Sequence, residues 1–209
     1  MSNVLKRKKR KMTPIGYSQQ ELEGMQKYSR RNTLMENIVQ KAYLDTKLMS
    51  FLILHDKFGW GLRRITRFES SINQCLEENA DRDLHAADYE KYLSEKCKFS
   101  ITEEVNKIPS RERILFVYDK IPTNPKIASD AAQLVSAAIY NYAVLSCTIL
   151  RELFHFSGRQ LLDYIHWIQY YINSVALWSE SGGRRGECIQ YIAEILRDEC
   201  KYCDSRTIC

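Results

Sequence analysis

Proline and glycine are scarce in this chain: four and eight residues out of 209. With so few breakers, and with frequent Ala, Leu, Ile, Glu, Lys and Tyr, the composition leans toward helix. No apolar run reaches the eighteen or so uncharged residues that a membrane span needs. Residues 131–150 come nearest, but Gln133, Ser136, Asn141 and Ser146 interrupt them. The basic N-terminus has no apolar run directly behind it, so it does not read as a secretory signal. These absences point to a cytoplasmic protein with no membrane partner. A paired cysteine framework is also missing. The seven cysteines are odd in number, and in the cytosol they are expected to stay reduced.

Signatures of catalysis are absent as well. His55, His85, His155 and His166 sit in no catalytic spacing, and no nucleophile elbow or phosphate-cradling glycine loop occurs. Cys200 and Cys203 form a single C-x-x-C pair with Cys188 and Cys209 nearby, whereas structural zinc needs four ligands. The expectation is a protein that is not an enzyme and holds no metal or cofactor.

What is present is an internal repeat. An offset of 96 aligns Phe58 with Phe154, Trp60 with Phe156, Arg63 with Arg159, Ile65 with Leu161, Phe68 with Tyr164 and Ile72 with Ile168. Further on, Tyr92 to Phe99 echoes Ile195 to Tyr202 at an offset of 103, and Ser181 to Glu187 reads as the seven-residue insertion between. Two copies this long suggest a duplicated domain, since an array needs more. The fold class expected is all-α: two related three-helix units in tandem. A basic disordered arm would cover 1–16, unit 1 17–99, an extended proline-containing linker 100–127, and unit 2 128–209.

Helical spacing of apolar residues supports this plan. Ser18 opens a capping-box pattern with Glu21, and a further helix covers 33–57. Gly59 and Gly61 break it, and helices follow from Leu62 and over 86–98. In the linker, Pro109, Pro122 and Pro125 exclude a long helix, and Arg113 to Tyr118 reads as a short strand or extended segment. Copy two repeats the plan with helices over 128–154, from 159 to about 178, and over 184–202. Trp60 and Phe156 are expected to plug the two turns into each unit's core. Copy two's middle helix is apolar on nearly every side, so it should lie buried between the halves or form a dimer interface.

Charge is uneven. Residues 1–31 carry a net +7 and the remainder −2, so the basic character belongs to the leader. Lys6, Arg7, Lys8, Lys9, Arg10 and Lys11 suit phosphate binding through counterion release, or act as a solubilising tail. The helix, glycine turn and helix at 54–68 suggest helix-turn-helix geometry, or an ordinary helical hairpin with a solvated basic face. Arg63, Arg67, Ser70 and Gln74 form one polar stripe, flanked by Arg64. Copy two is poorer in bases there, with Arg159, Asp163, His166 and Tyr170. Arg184 and Arg185, between glycines, read as an exposed loop that touches a phosphate or an acidic partner.

The stretch from Leu54 to Phe68, with Asp56, Lys57, Phe58, Gly59, Trp60, Gly61 and the pair Arg63 and Arg64, resembles small uncharacterised proteins of bacteriophages and prophages of Gram-positive bacteria. The resemblance covers about 36–99; copy two departs from it at His155 and Ser157. It implies a setting in a bacterial host cell and no particular activity. The function expected is non-catalytic binding of nucleic acid or a nucleoprotein complex by a mobile-element accessory protein. One specific form is an inhibitor of a host defence protein such as a CRISPR effector. The alternative is a protein-binding scaffold or homodimer acting through copy two's apolar helix, and a metal-dependent enzyme ranks third.

Overall fold

A computed structural model describes residues 19–82 and 86–203, with side chains placed from 32 to 78 and from 86 to 203. The Lys6 to Lys11 arm, the cap at Ser18, His85 and Cys209 lie outside the described residues. All the described regular structure is helical: α1 (Gln19–Phe58), α2 (Leu62–Arg82), α3 (Ala86–Cys97), α4 (Ile101–Asn106), α5 (Ser110–Val117), α6 (Pro125–Phe154), α7 (Gly158–Glu180) and α8 (Arg185–Cys200). The chain divides into two compact units within α1, between Asn37 and Ile38. The second unit, Ile38–Cys209, contains both docked turns.

The repeat is visible in how the long helices stop. α1 ends in a left-handed Gly59, and α6 ends in a left-handed His155 at the same offset of 96 (φ 66° and 59°). Each is followed by a buried aromatic whose N–H returns to the carbonyl six residues earlier: Trp60 to Leu54 and Phe156 to Leu150, both 3.1 Å. That bond satisfies carbonyls a helix end would otherwise leave open. A side chain then locks each turn. His55 Nδ1 donates to the Trp60 carbonyl, and Arg151 Nη1 to the Phe156 carbonyl, both at 2.8 Å. α3 and α8 end alike in left-handed lysines, Lys98 and Lys201, both with φ 60°.

The copies do not stand as separate units in tandem. Their turns dock face to face: Phe58 packs on Phe156 (4.9 Å, 41°) and Phe154 packs on Trp60 (4.5 Å, 40°). Exchanging the copies converts one pair into the other, as in a self-complementary two-fold interface. Trp60 and Phe156 meet edge to face at 5.9 Å in the middle. They therefore plug one shared core and not two. The third helices cross over as well. Cys97, ending α3, lies against copy two's turn, where a Cβ on Gly158 would come within 3.1 Å of its carbonyl oxygen. Beyond the end of α8, Tyr202 packs on Phe51 and bonds Glu69 at 2.9 Å.

The 100–127 segment is not extended. It folds into α4 and α5, and Arg113 to Val117 is helical and buried. α5 covers α7, whose Leu161, Tyr164, Ile165, Ile168, Ile172 and Val175 are buried. The apolar face expected to lie between the halves or in a dimer thus packs against the segment taken for a linker. The expected seven-residue loop is also absent as such. α7 has 23 residues against 21 in α2, and α8 has 16 against 12 in α3, so most of the added length extends helices. α6 is, among the described residues, the one helix long and apolar enough to cross a membrane, although the sequence reading found no such run. Its most apolar window is 61% buried inside the fold.

Trp60 is 3% and Phe156 6% exposed. Trp60→Ala and Phe156→Ala should each lower stability by about 3–5 kcal/mol, the usual cost of deleting a large core aromatic. Urea unfolding measures this, and equal losses are expected because each aromatic serves both copies.

Candidate nucleic-acid interface

α2 begins one residue after Gly61, so its first turn carries Arg63, Arg64 and Arg67 beside the docked turns. Ile65, Phe68 and Ile72 anchor its other face in the core, which leaves all three arginines exposed. They surround a cavity of about 470 Å³ whose remaining walls are Trp60, Leu153, Phe154, His155 and Phe156. Among the described residues, no carboxylate lines it. The Arg67 guanidinium sits 5.6 Å above the half-buried Phe154 ring, a cation–π arrangement.

The cavity therefore combines fixed positive charge with an aromatic wall. Arginine presents planar donor forks suited to phosphate oxygens, and Phe154, packed on Trp60 with Arg67 above its ring, forms the aromatic wall. Sequence reasoning found the arginines but missed the wall, since Leu153 to Phe156 come from the other copy. The repeat aligned these turns without showing that they face each other.

The other sequence candidates fall elsewhere. Gln74 is exposed, but it lies eleven residues along α2 from Arg63, about 16 Å at helical rise, and it donates to Glu78 at 2.9 Å. It takes no part in the cavity. Arg184 is exposed just before α8, remote from Arg63 in the chain, and its N–H donates to Glu187 at 3.4 Å. Arg185 is buried, not exposed in a loop. It is 6% exposed, its guanidinium is paired with the buried Asp45, and its N–H donates to Asp119 at 2.8 Å. The Gly-Gly-Arg-Arg-Gly run looks like an open loop, but α8 starts at Arg185 and turns the side chain inward against α1. That arginine serves the fold, not a ligand.

The C-x-x-C pair is split in role. Cys200 is a buried free thiol, 3.9 Å from the Trp60 carbonyl, while Cys203 is in a disulfide, against the expectation that the cysteines stay reduced. A different trio, His55, Asp56 and Glu199, brings possible metal-ligating atoms within 4.8 Å of one another at the first turn. With Nδ1 donating to Trp60, His55 turns Nε2 toward Glu199 at 3.1 Å. The Trp60 carbonyl is the main reason its pKa is raised, Glu199 adding to it against the effect of burial. A protonated imidazole satisfies both partners, and the contact fastens α8 to the first copy's turn.

Burial pushes the Asp45 carboxyl up to about 6, against the pull of Arg185 and Lys41. A carboxyl raised in the folded state destabilises as it ionises. The stability it allows is full below its unfolded pKa and is lost as pH rises toward 6. Arg185→Met removes the principal opposing charge. It should cost about 3–5 kcal/mol at pH 7.5, the penalty of orphaning a buried charge. The deficit should shrink at pH 5, where Asp45 protonates; urea unfolding at the two pH values measures both.

Comparison with protein-family models, with curated proteins and with solved structures finds no match to this chain.

Proposed function

We propose that this protein is a non-catalytic accessory protein that binds nucleic acid or a nucleoprotein complex. The observation that carries the reading is the cavity with three arginines, an aromatic wall and no carboxylate in its lining. Phosphates bind through the Arg63, Arg64 and Arg67 forks, and an adjacent base takes the place of Arg67 over the Phe154 ring, the pairing of charge and stacking used on single strands. The arm from Lys6 to Lys11 supplies general attraction to phosphate, since the rest of the chain is slightly acidic.

The likeness of Leu54 to Phe68 to phage proteins favours a phage or mobile-element setting in the bacterial cytoplasm. There, a specific form of the function is inhibition of a host defence complex such as a CRISPR effector, by occupying its guide or DNA channel. A second reading, protein binding, draws on Tyr170, Leu177 and Trp178 of α7 and Tyr191 of α8, each roughly half exposed or more. That surface would serve a protein partner or a homodimer.

The test is a fluorescence-anisotropy series with labelled single-stranded DNA, RNA and duplex at several salt concentrations. Deleting residues 1–12 should weaken binding to every sequence and flatten the salt dependence, each lost phosphate contact removing about 0.7–0.9 from the log–log slope. Arg63→Ala with Arg67→Ala should lower affinity with a smaller change in slope and leave the circular dichroism unchanged. If the full-length protein binds none of these at low salt, the protein-partner reading replaces this one.

A further inference from the structure

A second concave site lies where α4 and α5 of the inter-repeat segment meet α6. Thr102, Val105, Asn106, Arg113, Ser136, Ala137 and Tyr140, from α4, α5 and α6, line an open groove of about 360 Å³. That is at the small end of the range for small-molecule sites. At its floor is Arg113, only 8% exposed. Its Nε donates to the Ile108 carbonyl at 2.7 Å and its Nη1 to Ser136 Oγ at 2.6 Å. A guanidinium carries five N–H groups, so three of them have no acceptor among the described residues. No carboxylate pairs with it, and burial alone depresses its pKa.

Buried arginines are almost always paired, because an isolated charge loses its hydration. The acid that could have served here is committed elsewhere. Glu90 accepts from Ser100 Oγ (3.0 Å), Thr102 N (2.8 Å), Thr102 Oγ1 (2.7 Å) and Tyr140 OH (2.6 Å). Those four bonds tie α3 to α4 and α6, and they turn both rim hydroxyl protons away from the groove. Ser136 likewise sends its own proton to the Ala132 carbonyl at 2.6 Å. The groove thus offers a ligand one fixed cation, hydroxyl oxygens whose protons are taken, the exposed Asn106 amide, and apolar walls from Val105 and Ala137.

We propose that this groove binds a small organic monocarboxylate. The carboxylate takes the free edge of the Arg113 guanidinium, and a short apolar body lies along Val105, Ala137 and the Tyr140 ring. One buried positive charge matches one carboxylate. A phosphate dianion would bring excess charge and would meet no second cation in the lining. A neutral ligand would leave the guanidinium as uncompensated as before.

Isothermal titration of the full-length protein with hexanoate, hexanol and inorganic phosphate tests this. Hexanoate should bind saturably at one site, at least tenfold more tightly than either comparator. Arg113→Lys keeps the charge without the fork and should weaken hexanoate at least tenfold. Because a change at Arg113 could disturb folding, Ala137→Phe provides the second variant. Ala137 is exposed at the rim, so the phenyl ring fills the groove with Arg113 intact and should abolish hexanoate binding while the melting temperature holds. Absence of saturable hexanoate binding overturns the proposal. So does hexanol or phosphate binding equally well, or hexanoate binding that survives Ala137→Phe.

Discussion

The contact between Trp60 and Phe156 is the constraint on which the arrangement of this body depends. Each aromatic follows a left-handed residue that stops a long helix, so each is thrown back toward its own helix by a backbone bond to the carbonyl six residues earlier. Neither turn alone encloses its aromatic. Burial comes from the opposing turn, through the reciprocal pairs Phe58 with Phe156 and Phe154 with Trp60. Aromatic pairs of this kind contribute roughly 0.5–1.5 kcal/mol each beyond their buried area. Together they join the copies into one core.

The candidate interface follows from that docking. Arg63, Arg64 and Arg67 sit on the first turn of α2 because Gly59 to Gly61 end α1 there. Without the opposing turn they would form an ordinary solvated basic face. Once copy two's Leu153 to Phe156 are set against them, the same side chains line a cavity with an aromatic wall. The site thus belongs to neither copy, and its shape depends on the same aromatic contacts that hold the core.

Much of the helical plan is legible in the sequence, and the failures have physical reasons. Gly59 announces a helix end because glycine adopts the left-handed conformation without strain, whereas His155 does so at some cost and gives no such signal. Ile114 to Val117 reads as a strand because a short run buried on all sides carries no period; α6 and α7 supply that burial jointly. Arg185 looks like a surface loop residue because its partner, Asp45, lies 140 positions away in the chain. Cross-copy contacts such as Arg67 over Phe154 are invisible for a similar reason. A repeat shows which residues are equivalent, and it does not show which ones touch.

The two copies are held as one cooperative body through the docked turns. Hydrogen-exchange mass spectrometry on Trp60→Ala tests this most directly. Peptides from α2 and from α7 should lose protection together and by similar amounts, although the substitution lies only in copy one. Loss confined to α1 and α2, with α6 to α8 protected as in the parent protein, would contradict it.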